Sequence, residues 1–444
     1  MNVLENALKM LEKYPLCDHC LGRQFAFLGH GMENDEKGKV IKMSLTLEAN
    51  LLVLLRKKEG VKNLKILAIN GFSKIAEGIL HKMGKRLPSR GLPKTCFLCD
   101  GKFQSIEDLV EKTLRKVEGY EYSTFLVGTE LPVVVEERED EFKAEFGVNY
   151  SENIRNEFGR ILGKKVAEFI GKTVEYRKPE IVMLVNPFAG EIKVQVNPLF
   201  FAGRYKKLIR GIPQSKWFCF SCRGKGCEKC NWTGKMYPES VEEIIAKPFL
   251  DVTKGEKTAF HASGREDIDA RMLGKGRPFV IEISKPKRRL LDLKKIEEGI
   301  NECAKGKVEV SGLRCASKED VKKLKRAEAV QKEYRVIIEF KNKITNGEVS
   351  LLEDKLTNVI IKQRTPLRVL HRRADLTREK YIYEVKAKKL STKTVEMKIR
   401  CQGGLYVKEL VTGDGGRTTP NVSELFNNEA KPIKLDVLNV IMKD

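Results

Sequence analysis

The amino-acid sequence predicts an α+β protein with mixed or antiparallel sheets, and three observations support this. The first hundred residues have mostly helical periodicity. Apolar positions from Glu152 to Ile170 follow one helical stripe, and the next segment has the pattern of a hairpin, EIVMLVNPF and EIKVQVNPLFFAG, with a turn at Gly190. From about Ser240, the segments EEIIAKPFL, PFVIEISKPK, EYRVIIEFKN and KYIYEVKAKKL are predicted strands, which alternate with helices such as one near 291–304.

A change of composition divides the chain into two predicted regions, 1–240 and 241–444. The segment WFCFSCRGKGCEKCNWTGK, within 217–235, is rich in glycine and cysteine and unlike its neighbours, so it is expected to form a metal-binding knuckle at the boundary. A chain of 444 residues is long enough for two or three hydrophobic cores.

The net charge of +23 points to a polyanionic partner. The chain has 84 Lys and Arg against 61 Asp and Glu, and a solvated surface alone does not explain so large an excess of one sign. A membrane surface or an acidic protein would also fit, but the sequence has no lipidation signal and no apolar run of bilayer length. Nucleic acid is therefore the leading candidate, and an N-terminus without a signal-peptide pattern suggests a cytoplasmic protein.

Eight of the eleven cysteines form four CxxC pairs. Two such pairs can supply a tetrahedral set of four thiolates, which leaves no open position for catalytic water and is typical of structural zinc. The alternatives are unrelated buried thiols or redox pairs. We expect one or two zinc ions, held by two groups of candidate ligands: Cys17, Cys20, Cys96 and Cys99, and Cys219, Cys222, Cys227 and Cys230.

The candidate chemistry relies on carboxylates. The sequence has no phosphate-binding P-loop, no dinucleotide-binding glycine motif, no HExxH and only five histidines. The segment FHASGRED places Asp267 in a turn that starts with glycine, YRVIIEF presents Tyr334 on a strand, and CQGGLYVKEL presents Tyr406 and Lys408 two residues apart. On a strand, this spacing puts both side chains on the same face. Taken singly, each feature also fits a polar loop or ordinary packing.

Together these segments resemble the pseudouridine synthases. GRED followed by an R-x-x-G-x-G-R-P-F run resembles their catalytic-aspartate motif, the Y-R-V strand resembles the strand of their uracil-stacking tyrosine, and C-x-G-G-x-Y-V-K-E-L resembles their late motif with a basic residue. The N-terminal CxxC pairs, HRRAD and GDGGRTTPN are similar to the archaeal and eukaryotic THUMP-containing tRNA pseudouridine synthases that act on positions 54 and 55 of the T arm. The resemblance covers nearly the whole chain and is strongest from Ala259 to Met442.

The resemblance implies an isomerase fold for 241–444 and an accessory RNA-binding region for 1–240. A THUMP-like part is expected at about 105–210, ending in the G-R-Y-K sequence. The reaction breaks an N-glycosidic bond and rejoins uracil through carbon, so no organic cofactor is expected. The implied partner is tRNA, and a monomer is expected.

The resemblance also assigns roles to individual residues. Asp267 would be the nucleophile and Lys408 its basic partner, at a position where related families often have Arg. Tyr334 would stack on the flipped uracil, and Tyr406 would line the pocket. Asp269 is expected to be structural. Two further residues would contact the RNA. Arg265 would fill the space that the flipped base leaves or hold a phosphate, and Leu435 would pack over the target base.

A basic run could hold phosphates, and it contains Arg364, Arg368, Arg372 and Arg373. Two other functions stay open at this point. A non-catalytic zinc RNA-binding protein would keep the charge and the cysteines but give Asp267 no required role. Another THUMP enzyme, a methyltransferase or thiolase, would need a nucleotide or S-adenosylmethionine loop, and none is evident.

Overall fold

The computed structural model describes residues 2–87, 95–326 and 331–441, apart from the side chain of Arg372. The chain forms two compact units, 1–197 and 198–444. No helix in the described ranges is both long enough and apolar enough to cross a membrane.

Unit 1 contains eight helices and four strands among its described residues. The helices are α1 Val3–Lys13, α2 Asp18–Gly22, α3 Asn34–Leu54, α4 Lys58–Ile69, α5 Lys74–Lys82, α6 Ile106–Val117, α7 Val133–Phe146 and α8 Ile154–Ile170. The strands are β1 Thr124–Thr129, β2 Thr173–Val174, β3 Ile181–Asn186 and β4 Glu191–Val196. They form a mixed sheet in the order β2-β1-β3-β4, in which only β3 and β4 are antiparallel.

The predicted helix and hairpin of unit 1 are confirmed. Helix α8 begins after Asn153, whose side chain accepts a hydrogen bond from the Asn156 backbone N, and ends at Gly171 in the left-handed region. Its apolar stripe is buried in the unit 1 core. Strands β3 and β4 pair through a turn at Gly190, whose φ is +68°.

Unit 2 contains a ten-stranded sheet with helices packed on it. The strands are β5 Leu199–Lys207, β6 Lys257–Ala262, β7 Arg271–Ser284, β8 Val308–Ala316, β9 Gln331–Phe340, β10 Val359–Arg364, β11 Thr377–Lys389, β12 Thr394–Gln402, β13 Thr418–Thr419 and β14 Ala430–Ile441. The helices are α9 Val241–Thr253, α10 Leu293–Cys303, α11 Lys318–Arg326, α12 Asn346–Leu356, α13 Val407–Thr412 and α14 Val422–Leu425.

The strands of unit 2 run in the order β13-β10-β11-β12-β9-β14-β7-β5-β8, with β6 beside β7. All pairs are antiparallel except β14 with β7, which are parallel and in register at only two positions, Asp436 with Arg271 and Val437 with Met272. Strand β14 therefore joins the two halves of the sheet. The predicted α+β class with mixed sheets is confirmed.

The compact units divide at 197/198 and not at the predicted 240/241. The reason is β5, which pairs with β7 and β8 and places Phe201 and Tyr205 in the core of unit 2. The G-R-Y-K sequence lies on this strand and so outside the sheet of unit 1, where the sequence placed it.

The segment EEIIAKPFL is helical, not a strand. It lies in α9, where the Ser240 side chain accepts a hydrogen bond from the Glu243 backbone N and caps the helix. Val241, Ile245 and Phe249 are spaced four residues apart, so they bury one helical face.

Candidate active site and candidate metal centres

Asp267 lies in the loop between β6 and β7, within unit 2. Gly264 starts the turn with a φ of +75°, and a Cβ at this position would lie only 2.9 Å from Lys332 Nζ. Glycine is favoured there because it adopts this left-handed backbone conformation without strain. The loop is also held by Lys207, whose buried Nζ donates to the backbone O of Asp267 at 3.0 Å and to that of Ile268 at 3.2 Å. Burial lowers the pKa of Lys207 to about 8.

A buried polar network lies beneath this loop. Glu266, next to the candidate nucleophile, accepts from Arg277 Nε at 2.9 Å and from Tyr205 Oη at 3.0 Å. Arg277 also donates to the Ser263 backbone O at 2.7 Å, and Gln214 donates to Tyr205 Oη at 2.6 Å. Burial disfavours the Arg277 cation, but the Glu266 carboxylate outweighs this and raises the pKa of Arg277. The ion pair thus fixes the backbone on both sides of the turn.

Two cations contact the same oxygen of Asp267. Lys408 Nζ lies 3.2 Å from Oδ2, and Arg368 Nη1 lies 3.3 Å from it. Lys408 lies closer to Asp269, with 2.7 and 2.8 Å to its two oxygens, and Arg368 Nε donates to Glu409 at 2.6 Å. Burial raises the pKa of Asp269, but the bonds from Lys408 outweigh it and lower the pKa overall. Lys408 therefore bridges Asp267 and Asp269, and Arg368 bridges Asp267 and Glu409.

Asp267 opens onto a cavity of about 640 Å³. The other predicted substrate contacts also line it, and these are Arg265, Tyr334, Tyr406 and Leu435. The Arg265 guanidinium lies 5.7 Å from the ring centre of Trp217. Tyr406 Oη accepts from Arg373 Nη1 at 2.9 Å. The structure thus brings every predicted site residue of the catalytic region together in one cavity.

Two residues of β9 extend into this cavity. Tyr334 is opposite Val437 of β14 and Ile399 of β12 in the sheet register. Burial raises the pKa of Tyr334, with a further contribution from Cys401, so its phenol stays neutral at physiological pH. Lys332 lies two positions earlier on the same face, and burial with the nearby Arg277 cation lowers its pKa to about 8.

The expectation that Tyr406 and Lys408 lie on a strand is wrong. Tyr406 directly precedes α13, and Lys408 is in its first turn. Gln363 binds both backbone groups of Tyr406, donating to its O at 2.9 Å and accepting from its N at 2.8 Å. Both side chains still reach the cavity.

Sequence reasoning missed the role of Arg368 and the buried residues below the loop. Arg368 was expected to hold phosphates, yet it contacts Asp267. Its neighbour Arg364 pairs with Asp375 at 2.7 Å, and the side chain of Arg372 lies outside the described residues. The sequence of β5 does contain a signal for some of these buried residues, because Phe201, Tyr205 and Lys207 occupy alternate positions that share one face of a strand.

Two groups of four cysteines in the described ranges have sulfur atoms close enough to hold a metal ion. In each group, the four Sγ atoms lie within 4.8 Å of one another. In the first group, Cys17 Sγ is 3.7 Å from Cys99 Sγ, and the Cys20 backbone N donates to Cys17 Sγ at 3.4 Å. His19, between these cysteines, bonds Glu157 at 3.0 Å and so does not join the sulfur cluster.

The second group is a knuckle within residues 217–235. Cys219 Sγ lies 3.8 Å from Cys227 Sγ, and Cys222 Sγ lies 3.8 Å from Cys230 Sγ. The Gly226 backbone N donates to Cys222 Sγ at 3.2 Å. Zn–S bonds of about 2.3 Å would place tetrahedral thiolates about 3.8 Å apart, so both groups fit such an ion.

Comparison with known proteins agrees with this geometry. A family model described as Pus10, C-terminal, matches residues 200–441, and one described as Pus10 THUMP domain, archaeal, matches residues 109–186. The THUMP match ends before β4, whereas the predicted THUMP-like part continues to about 210. A crystal structure of a pseudouridylate synthase matches 68% of this chain and 90% of that chain at 12% identity, and its TM-score of 0.23 is too low to show a shared fold.

Three proteins called tRNA pseudouridine synthase Pus10 are similar along almost their full length. The one from Methanocaldococcus jannaschii is 46% identical over 97% of this chain and 93% of its own. Those from Methanothrix thermoacetophila and Pyrococcus furiosus are each 39% identical, over 99% of this chain and 94% and 98% of their own. The class of enzyme is thus pseudouridine synthase, an isomerase. The chain belongs to the Pus10 family.

Proposed function

We propose that the protein isomerises uridine to pseudouridine in the T arm of tRNA, at position 54, position 55 or both, with Asp267 as the nucleophile. The observation that carries this proposal is the position of Asp267, which faces the cavity with Lys408 and Arg368 at 3.2 and 3.3 Å from one carboxylate oxygen. The names of the similar proteins supply tRNA as the substrate. The net charge of +23 suits a polyanion.

The reaction is an isomerisation, so every atom of the substrate is kept. The bond from C1′ to N1 breaks, uracil turns, and C1′ bonds to C5; C5 then loses a proton and N1 gains one. A carboxylate nucleophile would form a covalent intermediate at the sugar or at the base. Lys408 and Arg368 both contact one oxygen of Asp267 and would fix its rotamer. Lys408 therefore has the role of positioning the nucleophile.

The target base must leave its stack before Asp267 can reach it. Tyr334 would stack on the flipped uracil, and Tyr406 would line the same cavity. Leu435 would pack over the base, while Arg265 would fill the vacated position or hold a phosphate. All these residues line the cavity within unit 2, so one chain supplies the whole proposed site.

Unit 1 would bind the tRNA, and the two cysteine groups, one in each unit, would hold structural zinc. The THUMP domain at 109–186 supports the first role. The sulfur separations support zinc in both cysteine groups, and four thiolates would leave no position for catalytic water. Zinc there would stabilise the fold and take no part in the reaction.

Pseudouridine mapping on unmodified tRNA transcripts tests the substrate and the position. Wild-type protein without added cofactor should convert U54, U55 or both, and transcripts with U54→C or U55→C should lose the corresponding signal. A transcript of the anticodon stem-loop alone is the control and should stay unmodified. Conversion outside the T arm, with none inside it, would contradict the proposal.

A further inference from the structure

Lys332 stands out because the mechanism above does not use it. It lies on β9 two positions before Tyr334, so both side chains emerge from the same face of the strand. Both line the cavity, and Lys332 Nζ packs against Gly264 at the start of the nucleophile loop. The ammonium group is therefore close to the ring expected to stack on uracil.

The Lys332 ammonium makes no hydrogen bond and no ion pair within the part of the chain that the structure describes. The nearby carboxylate of Glu266 is already bound by Arg277 and Tyr205. Burial and the Arg277 cation lower the pKa of Lys332 to about 8, and they outweigh the opposite effects of Cys401 and Glu266. A donor-only group in this position has hydrogen bonds to offer to a ligand.

The location favours a base over a phosphate as that ligand. The exposed cations at the cavity, Arg265 and Arg373, can meet the RNA backbone. Lys332 is more buried and shares the strand face of Tyr334, so a group that stacks on Tyr334 would present its polar edge to the Lys332 amine. A flipped nucleotide enters a pocket base first.

We propose that Lys332 Nζ donates a hydrogen bond to a carbonyl oxygen of the flipped uracil and is a specificity-determining residue for uracil over cytosine. This inference rests on the proposed function. Rotation of uracil about the axis through N3 and C6 exchanges N1 with C5 and, at the same time, O2 with O4. A fixed ammonium group therefore meets a carbonyl oxygen before and after the turn.

Cytosine does not have this symmetry. It carries an amino group at C4, so in one of the two orientations the amine of Lys332 would face another donor. A site built to bind a polar group discriminates strongly against a base that leaves the group unpaired. The contact thus selects the base and tolerates its rotation, both of which the reaction requires.

Single-turnover conversion tests the contact on ligated tRNA carrying uridine, 2-thiouridine or 4-thiouridine at the target position. Sulfur accepts hydrogen bonds more weakly than oxygen. Lys332→Met should lower the rate with uridine about 10- to 100-fold, the range for a hydrogen bond to a charged donor. Wild type should be slowed by at least one thio substitution, whereas Lys332→Met should be nearly insensitive to it.

Two further variants complete the experiment. Lys380→Met alters a lysine of β11, a strand separated from β9 by β12; Lys380 does not line the cavity, so this variant should keep the wild-type sensitivity to sulfur. Lys332→Gln keeps an N–H donor without charge, and it should show a smaller thio penalty than wild type even if Lys332→Met does not fold. Tight tRNA binding should persist in all variants.

The possible failures can be told apart. If Lys332→Met or Lys332→Gln keeps the full thio penalty of wild type, Lys332 does not contact the base and the inference is wrong. If wild type itself does not convert uridine, the proposed function is what fails.

Discussion

The buried pair of Arg277 and Glu266 gives a quantitative prediction. Both side chains are at most 1% exposed, and Arg277 Nε lies 2.9 Å from Glu266 Oε2. Arg277→Met would leave the Glu266 carboxylate buried without its cation. Removing one partner of a buried pair costs about 3–5 kcal/mol, because the remaining charge has lost its compensation. For a cooperative unit of this size, about 2–4 °C of Tm is lost per kcal/mol, so we expect Tm to fall by about 6–20 °C.

Thermal and denaturant unfolding of matched variants measure this cost. The double variant Arg277→Met/Glu266→Leu removes both charges and should regain most of the lost stability, since apolar replacement of a whole buried pair is often neutral. The exposed pair of Lys285 and Glu256, with Nζ and Oε2 3.0 Å apart, is the control, and Lys285→Met should cost less than about 1 kcal/mol.

The same variants connect stability to the reaction. Glu266 directly precedes Asp267, so Arg277→Met should lower the single-turnover rate more than it weakens tRNA binding. An Arg277→Met protein that unfolds within about 1 kcal/mol of wild type, or a double variant less stable than the single one, would refute the reasoning.

Three other predictions concern the rest of the fold. Burial raises the pKa of Asp436, but its arginine partners outweigh this and lower the pKa overall to about 2. Asp436→Asn should therefore cost about 2 kcal/mol of unfolding free energy at neutral pH. Denaturant unfolding should show this difference above pH 4 and lose it as the pH falls toward 2, and a pH-independent difference would contradict the electrostatic cause. Cys99→Ser should reduce bound zinc by one equivalent in elemental analysis, whereas Cys303→Ser, at an exposed cysteine outside both groups, should not. Equal zinc contents in the two variants would contradict a zinc site at the first cysteine group. Gly226→Ala should lower the zinc affinity of the knuckle, because φ is +94° there and the new Cβ would lie 2.9 Å from the Trp232 backbone O. The control Gly163→Ala lies on a helix with open space around it and should raise or preserve Tm. An unchanged zinc affinity in Gly226→Ala would contradict the strain argument.

Local patterns predicted much of the fold. The helix α8 was predicted because its apolar residues repeat at helical spacing over 17 residues, and the β3–β4 hairpin because both strands flank a glycine turn. The segment EEIIAKPFL failed because its short apolar run fits a strand as well as a helix. Its decisive feature, the Ser240 cap, lies just before the run.

Strand pairing between distant residues could not be read from the sequence. Strand β5 follows the hairpin directly in the chain, which made it look like part of the same domain. Its partners on β7 and β8 lie between 65 residues (Lys207 with Met272) and 116 residues (Phe200 with Ala316) later in the chain, and register with them depends on the packed core. This is why the expected boundary was placed after the strand and the observed one lies before it.

The site was predicted where motifs are local and missed where contacts are not. Asp267 and Tyr334 occur in recognisable segments, and the structure places both at one cavity. Arg368 is about a hundred residues from Asp267 in sequence, and only the fold shows that it shares an oxygen with Lys408. The support from Lys207 depends on a backbone carbonyl, which no sequence motif encodes.

The most direct test of the central claim compares wild type with Asp267→Asn on an unmodified tRNA transcript. The variant keeps the size of the side chain but removes the charge that Lys408 and Arg368 hold. We predict pseudouridine in the T arm with wild type only, with tRNA affinity and Tm of the variant close to those of wild type. Conversion by Asp267→Asn at a rate near that of wild type would contradict the account.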